Sequence, residues 1–583
     1  MKKYFVIFLI TVMLLMLTAC GGTGNSSMDN GALQSVDESA AAEIRNALSL
    51  MVDRNYVVRE IGQGGQIPAV SFVPNGMPDT DGSQFYENTD YYDASKDKYE
   101  ENFSQAIETL RKYYSYDENT GRFLDFPVLT YLYNNSDTHK AMGEYLQSVF
   151  AGVGITLDLE NQEWSTFLNT RKQGDFTLAR NGWVADYHDP ICFLDMWTSD
   201  SGNNDIQFGK AEHATKAIYD LDLTAYGLDI QVDDGTWAQT YDVLIDVIKS
   251  TADQNTRYAL MHLAEDMLME TGCIMPLYYY TDLYMIDSSV EGFYANPLGY
   301  KYFHTSTVNG SGAGISVCLA SEPDSIDPAL NSTVDGATLI SHLFAGLAKW
   351  SQNENGEMVL QADCAIELPE GVTNPDGTVT YTYTLRDGLK WSDGRAVVAG
   401  DFVYAWNRAA GDDTGHGYLF EVIKGYGTGK LAVSAPDDKT LILTLNNPIG
   451  YLNELLALPA YMPVRQDVVE SNEGWATNAA SYICNGAYTM TGWNHNSVIT
   501  MKKNPNYYDA DLVTMNEIRF YLSDDANNML SNFKNGTWLV IESVPTNEIA
   551  ALRQQHPQEF VIAPQIGTYY LSWNINASLS PMN

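Results

Sequence analysis

The sequence predicts a mixed α/β protein with more than one domain, and three observations support this class. The chain has 583 residues, which exceeds the usual size of a single hydrophobic core, so roughly two to four domains are expected. Hydrophobic residues make up 45% of the chain, enough to fill such cores. Segments with helical and with strand periodicity alternate along the sequence, and this alternation is typical of α/β proteins.

The first half of the chain contains predicted helices and strands in alternation. Residues 40–60 carry apolar side chains at helical spacing, among them Ile44, Leu48 and Met51. TWAQTYDVLIDVIKS and TRYALMHLAEDMLMET predict two further helices. ITLDLENQEW alternates like a strand, and MPLYYYTDLYMI combines aromatic residues with β-propensity. The polar stretch HTSTVNGSGAGIS at 304–316 then predicts a linker.

A second set of elements begins beyond this stretch. ISVCLA and KTLILTLN predict strands, with VTYTYTLRDGLKWSDG and a helix in DFVYAWNRAA between them. The last segment, GTYYLSWNINASLSPMN, starts as a strand. No long segment occurs twice, so the sequence does not predict a tandem repeat.

The first residues predict export. Lys2 and Lys3 precede an apolar run from Tyr4 to Leu17, which is shorter than the ~20 residues of a membrane-spanning helix. The following Leu-Thr-Ala-Cys resembles a bacterial lipobox, which implies cleavage before Cys20 and a lipid on its thiol. The alternatives are an uncleaved anchor or a simple secretory signal. Residues 20–39 are polar and rich in Gly and Ser, as a flexible tether would be.

The charge of the chain argues against nucleic acid as a partner. Thirty-three Lys and Arg stand against 74 Asp and Glu, which gives a formal net charge of -41. Such a surface repels phosphate backbones and anionic lipids.

The sequence does not contain the complete catalytic and metal-binding motifs that some of its segments resemble. GYGTGK at 425–430 lacks two required residues of a phosphate loop, and PDTDGSQ at 78–84 lacks the spacing of a calcium loop. The sequence contains no HExxH and no GxSxG motif. The five cysteines after Cys20 form no CxxC pair, so buried thiols are expected. We therefore predict no catalytic residue, no metal site, no cofactor and no enzyme activity.

The stretch RNGWVADYHDP at 180–190 remains, together with its neighbours. Residues 160–194 resemble a diagnostic region of the bacterial extracellular solute-binding proteins of the oligopeptide/dipeptide class, family 5. Other segments are similar to the same family: TLRDGLKWSDGRAVVAGDFVYAWNRA, CNGAYTM, KKNPNYYDA, RNALSLMVDRNYVV and IMPLYYYTDLYMI. The resemblance covers nearly everything after the tether.

The order of these segments differs from that of the family. In the family, segments like KWSDG come first and segments like ALSLMVDR and GWVADY follow, whereas here the second group precedes the first. Because nothing is duplicated, we interpret the order as a circular permutation in which 304–316 joins the former ends. The alternative is that the C-terminal half of one binding protein abuts the N-terminal half of another.

The resemblance implies a two-lobed, type II periplasmic-binding-protein-like fold of the large peptide-binding class. Two lobes joined by chain crossings near 273–280 and 568–574 would close over a ligand, with a small additional domain on one lobe. The implied organisation is a signal peptide at 1–19, a tether at 20–39, lobe two at 40–271, a returning segment of lobe one at 272–306, a linker at 307–313, lobe one at 314–345 and 471–570, the additional domain at 346–470, and a crossing strand at 571–583.

The resemblance also implies six ligand-binding residues. Asp186 matches the family acid that holds the α-ammonium of a peptide, and Arg180 and His139 match basic positions that meet its carboxylate. Trp164 and Trp183 match residues that shape side-chain pockets, and Gly182 lies between them on the motif. By the residues alone, Asp186 could be a helix or turn cap, Arg180 a surface ion pair, His139 a helix start and the tryptophans core residues. Asp189, before Pro190, is expected to be a turn acid.

The function implied is that of a lipid-anchored receptor outside the cytoplasmic membrane. It would capture oligopeptides and deliver them to the permease subunits of an ABC importer, as a monomer, although two chains could exchange halves. The alternatives are a nickel chelate, haem, opine or sugar as ligand, a peptide-pheromone receptor, or an exported hydrolase.

Overall fold

The computed structural model describes residues 37–216, 219–319, 322–323, 325–411, 414 and 416–582. The predicted signal peptide, Cys20 and nearly all of the tether lie outside these residues. None of the helices in the described part combines the length and the apolar character that crossing a membrane requires.

Within the described residues, the largest sheet has eleven strands. In chain order they are β1 Ile67–Pro68, β2 Leu129–Asn134, β3 Leu157–Gln162, β4 Leu178–Val184, β5 Ile274–Ile286, β6 Ile315–Leu319, β7 Tyr488–Asn494, β8 Val498–Lys503, β9 Glu517–Leu522, β10 Val540–Ile541 and β11 Phe560–Trp573. Their order across the sheet is β7, β8, β9, β6, β10, β5, β11, β4, β2 and β3, and β1 pairs with β5. Parallel pairs connect β2 to β3 and β4 on one side, and β6 to β9 and β10 on the other.

The two longest strands, β5 and β11, lie side by side in the middle of this sheet and run antiparallel. The start of β11, from Phe560 to Pro564, pairs with the second half of β5. The register shifts between Pro564 and Thr568, and beyond that break β11 also pairs with β4. The strand group β2–β4 is therefore joined to the group β6–β10 through β5 and β11, the strands on which both predicted crossings fall.

Helices pack around the strands. The longer ones are Glu38–Leu50, Tyr99–Leu110, Asp137–Gly152, Trp164–Lys172, Trp237–Ser250, Gln254–Glu270, Val334–Leu343, Ala399–Ala409, Ala526–Lys534 and Ile549–Gln555. Trp237–Ser250 shows why such a helix begins where it does. The Thr236 side chain accepts from the N–H of Gln239, whose side chain accepts in turn from the N–H of Thr236. The mixed α/β class that the sequence predicts is confirmed.

A separate four-stranded antiparallel sheet lies within residues 372–445. Its strands, in spatial order, are Val372–Thr373, Val379–Thr384, Thr440–Leu445 and Val433–Ser434. In Thr440–Leu445 the leucines Leu441, Leu443 and Leu445 are buried and alternate with half-buried residues, the pattern of a strand with one face on a core. This sheet falls inside the range 346–470 that the sequence assigns to an additional domain.

Short two-stranded sheets complete the described part. They pair Tyr116–Asp117 with Arg122–Phe123, Leu221–Asp222 with Gln231–Val232, Val290–Glu291 with Thr307–Val308, Tyr294–Ala295 with Lys301–Tyr302, and Ala348–Gln352 with Met358–Ala362.

The helix predicted at 40–60 is interrupted. Its first part ends at Leu50, and a new turn begins at Asp53, whose side chain accepts from the N–H groups of Asn55 and Tyr56. Arg54 is buried; its Nε donates to the carbonyl of Pro276 at 2.8 Å, and its guanidinium lies 4.0 Å from the ring centre of Tyr92. These long-range contacts fix the turn, and a π-helical segment follows at Val57–Gly62.

The stretch 304–316, predicted as a linker, is folded against its neighbours. Thr307–Val308 pairs with Val290–Glu291, and Asn309 and Gly310 take the left-handed conformation that the tight turn needs. The carbonyl of Gly312 accepts from the N–H of Asn516 at 2.7 Å. The stretch is therefore part of the folded body.

The cysteines of the described part are single. Cys192, Cys273, Cys318, Cys364 and Cys484 are all buried and form no disulfide there. Burial raises the pKa of each thiol, so the protonated form packs as a small apolar side chain.

Candidate ligand-binding site

A cavity of about 640 Å³ lies against β4 and brings distant parts of the chain together. Its lining residues fall within 134–136, 163–172, 180–186, 196–205, 298–300, 331–335, 416–419, 458–460 and 522–529, with Tyr280, Glu322, Asn496 and Ser543. Residues of both strand groups and of the segment around the four-stranded sheet thus surround one space.

Five of the six predicted ligand-binding residues line this cavity. They are Trp164, Arg180, Gly182, Trp183 and Asp186. The sixth, His139, is not among the lining residues; its Nδ1 lies 3.3 Å from the hydroxyl of Tyr569, and the two rings stack at 5.7 Å. Burial lowers the pKa of His139 well below its usual value, so its imidazole is neutral at pH 7. His139 therefore lies outside the cavity lining but near the same strand, since the charge of Arg180 also lowers its pKa and Tyr569 pairs with Gly182 across β11 and β4.

Arg180 lies on β4 and is held by neighbours that leave its charge unpaired. Its Nε donates to Asn134 Oδ1 at 2.8 Å, and its guanidinium lies 5.3 Å from the ring centres of Trp164 and Phe167. Trp164 begins a helix because the side chain of Glu163 accepts from the N–H groups of the first turn. No acid of the described residues forms an ion pair with Arg180, so its other N–H donors can bind a carboxylate.

Asp186 follows β4 and is an acid of the cavity whose pKa is raised. Its Oδ2 accepts from the hydroxyl of Tyr418 at 2.5 Å, and among the described residues it forms no ion pair with a lysine, arginine or histidine. Burial raises the pKa of Asp186 to about 6, and the Tyr418 hydrogen bond opposes this shift. A half-buried carboxylate that has no cationic partner can form an ion pair with a positively charged group of a ligand.

Asp189, expected to be a turn acid, accepts a hydrogen bond within its turn and also forms a buried ion pair. Its Oδ1 accepts from the N–H of Ile191 at 3.0 Å, and both carboxylate oxygens pair with the guanidinium of Arg257 at 2.7 and 2.9 Å. Both side chains are buried. This bidentate pair fixes the segment that follows Asp186 to the helix Gln254–Glu270.

The structure adds two tyrosines that sequence reasoning missed. Tyr418 reaches Asp186 from a position 232 residues away along the chain, and Tyr280 of β5 lines the cavity above Gly182. The run of three tyrosines in MPLYYYTDLYMI predicted a strand, but nothing local shows which of them faces a ligand. The signal for Tyr418 was weaker still, since it lies in a short turn at Gly417–Phe420.

Gly182 makes room for Tyr280. A Cβ at position 182 would overlap the Tyr280 hydroxyl and lie 3.1 Å from its Cζ. The backbone of Gly182 does not require glycine, because its φ lies outside the left-handed region. The glycine is therefore explained by space, and its influence on the cavity passes through Tyr280.

We expect Gly182→Ala to displace Tyr280 and reduce ligand affinity about tenfold, with ~1–3 kcal/mol lost in the free energy of unfolding from overpacking. Isothermal titration calorimetry and urea unfolding measure the two effects. The double variant Gly182→Ala/Tyr280→Phe removes the overlapping hydroxyl and should recover most of both. Equal losses in the single and double variants would contradict the role of the Tyr280 hydroxyl.

Comparison with known families agrees with this geometry. The model described as bacterial extracellular solute-binding proteins, family 5 Middle, matches residues 28–205 and 367–582, more than half of the chain. The chain belongs to the bacterial extracellular solute-binding proteins of family 5.

The relatives include characterised binding proteins. Oligopeptide-binding protein OppA of Bacillus subtilis (strain 168) is 36% identical over 279 residues, 45% of this chain and 49% of the relative. Dipeptide-binding protein DppE of the same organism is 29% identical over 265 residues, 44% of this chain and 47% of the relative. The chain thus spans about half the length of the curated relatives it matches. The solved structure of Burkholderia pseudomallei OppA is 27% identical with a TM-score of 0.38, over 42% of this chain and 48% of that one.

Proposed function

We propose that the chain captures oligopeptides in the cavity and releases them to the permease of an ABC importer. The observation that carries the proposal is Asp186, a half-buried carboxylate with a raised pKa that lacks a basic partner among the described residues. A peptide amino terminus supplies the missing positive charge, and Arg180 on the same strand offers donors for a carboxylate.

The relatives support a peptide as the ligand. OppA and DppE of Bacillus subtilis are named oligopeptide-binding and dipeptide-binding proteins, whereas the relative YgiS of Escherichia coli, 30% identical, is named a probable deoxycholate-binding protein. A non-peptide solute without an ammonium group would cover the Asp186 carboxylate without supplying a positive charge, which is costly. Among the alternatives, a pheromone receptor uses the same chemistry and differs only in the identity of its peptide.

We also propose that the mature chain is anchored outside the cell membrane by a lipid on Cys20 and acts as a monomer. The lipobox-like Leu-Thr-Ala-Cys sequence and the polar tether support the anchor. The lobes proposed for closure are 40–271 on one side, and 272–306, 314–345 and 471–570 with the additional domain 346–470 on the other. Chain crossings near 273–280 and 568–574 join the two lobes, 307–313 links two segments of the second of these lobes, and 571–583 is the crossing strand.

The reversed order of the halves belongs to the same proposal. A collinear alignment covers only one half of a permuted chain at a time, and the curated relatives match over less than half of this chain. The folded stretch 304–316, with Thr307–Val308 paired to Val290–Glu291, supports a stable junction at this place. Halves taken from two binding proteins would also align in this way, and the site would then be composite.

The proposal predicts that an equimolar pool of tripeptides stabilises the purified chain. A ligand at a hundred times its Kd adds about 2.7 kcal/mol to the free energy of unfolding, because it binds only the folded state. Differential scanning fluorimetry measures the shift, and mass spectrometry of chain purified under native conditions identifies bound ligand. The absence of a shift with peptide pools of two to six residues would sink the peptide assignment.

A further inference from the structure

The turn Gly417–Phe420 and the next residue, Glu421, contact the opposite wall of the cavity at two places. Inside the cavity, the hydroxyl of Tyr418 donates to Asp186. Three residues further on, Glu421 forms an ion pair with Lys249, near the end of the helix Trp237–Ser250. One short turn of the segment 346–470 therefore meets both the candidate ammonium-binding acid and a lysine from the first half of the chain.

Lys249 has two acidic partners of different origin. Asp195 belongs to the same half of the chain, and its Oδ2 lies 3.3 Å from Lys249 Nζ with a side chain that is 3% exposed. Glu421 comes from the segment 346–470, and its side chain is 23% exposed. Burial raises the pKa of Glu421 while Lys249 lowers it. Separation of the two walls would leave Asp195 with Lys249 and remove only Glu421.

Other contacts between the same two walls lie close by. Tyr187, next to Asp186, stacks on Tyr451 at 4.4 Å, and the N–H of His188 donates to Glu454 Oε2 at 2.6 Å. Among the charged contacts between these walls in the described part, Lys249–Glu421 is the ion pair that involves the turn carrying Tyr418. A partly buried ion pair is screened by solvent less than one on the open surface.

We propose that Lys249 is a positioning residue for ligand capture, whose ion pair with Glu421 holds the turn 417–421 against Asp186 and keeps the cavity covered. Its purpose in capture rests on the proposed function, but the ion pair acts in the ligand-free chain. Asp195 keeps the lysine in place, so the ammonium is already oriented when Glu421 returns. Closure then requires ordering of one flexible side chain instead of two.

The test is hydrogen–deuterium exchange of the ligand-free full-length chain, read by mass spectrometry over residues 416–421. Glu421→Gln should lower the protection of this segment by roughly three- to fivefold, the effect of losing one partly exposed ion pair. Lys249→Arg keeps the charge and should retain protection. Asp376→Asn is the matched control, because it removes an equal charge from the exposed pair with Lys424 inside the same segment.

The positioning role is supported if Glu421→Gln loses protection locally, at 416–421, while Lys249→Arg and Asp376→Asn retain it. Unchanged protection in Glu421→Gln overturns it, and so does an equal loss of protection along the whole chain, which would mark general destabilisation. Because no peptide is present, a wrong assignment of the ligand would not change these outcomes.

Discussion

Replacing Asp186 by asparagine is expected to abolish the stabilisation by peptides while leaving the ligand-free chain at least as stable at pH 7. The substitution weakens peptide binding but does not weaken the ligand-free chain, because the partly buried charge is unfavourable without a cationic partner and favourable with one. Without a peptide, the ionised carboxylate is half-buried, accepts a hydrogen bond from Tyr418 and has no cationic partner among the described residues. With a peptide bound, it becomes one half of a buried ion pair, and removing one partner of such a pair typically costs about 3–5 kcal/mol.

The pH dependence follows from the raised pKa of Asp186, about 6 against its ordinary value of 3.8. The folded chain binds this proton more tightly than the unfolded chain, so the cost of the buried charge is present above pH 6 and is relieved as the pH falls toward 4. Peptide affinity should change in the opposite direction, since protonation removes the charge that the ammonium needs. We expect the affinity of the unsubstituted chain to decrease below about pH 6. Asp186→Asn should give no peptide-dependent stabilisation at any pH in this range.

Scanning fluorimetry with a tripeptide pool, repeated between pH 5 and 8, measures both effects. Asp524→Asn is the matched control: Asp524 also lines the cavity and loses the same charge, but it is exposed and lies on a different wall. It should keep the peptide-dependent shift. A normal shift in Asp186→Asn would show that the ligand's positive group binds elsewhere.

Local patterns predicted elements whose stability depends on near neighbours. Trp237–Ser250 begins at its own capping box, and the alternation of Thr440–Leu445 matches the buried face of its strand. The prediction of one helix at 40–60 was wrong after Leu50, where long-range contacts and not local periodicity determine the backbone. Arg54 binds the carbonyl of Pro276, 222 residues away, and no local periodicity contains that contact.

In the candidate site, too, local sequence predicts some residues, whereas others are brought in by contacts that are distant along the chain. Five predicted residues line one cavity because β4 and the start of a single helix place them there. The partners that complete the site, Tyr280 and Tyr418, come from a central strand and a distant turn. Their positions depend on strand register and on the packing of the segment 346–470, and neither can be derived from local sequence because both require the folded chain.

Replacing Arg257 by leucine is expected to lower the free energy of unfolding by about 3–5 kcal/mol, the largest stability effect that we predict. Asp189 would keep a buried carboxylate with only the N–H of Ile191 as a partner. Its charge could then be accommodated only by letting water into the segment after Asp186 or by taking up a proton. The midpoint of urea unfolding, followed by tryptophan fluorescence, measures the loss.

The double variant Asp189→Asn/Arg257→Leu distinguishes an unpaired charge from lost packing. Asparagine still accepts from Ile191 but buries no charge, so the double variant should regain at least half of the lost stability. Asp189 anchors the segment that follows Asp186 to the helix Gln254–Glu270. If stability returns in the double variant but peptide binding does not, the ion pair also positions Asp186 for the ligand. A double variant as unstable as Arg257→Leu alone would instead mean that the packing of the arginine, not the unpaired carboxylate, accounts for the loss.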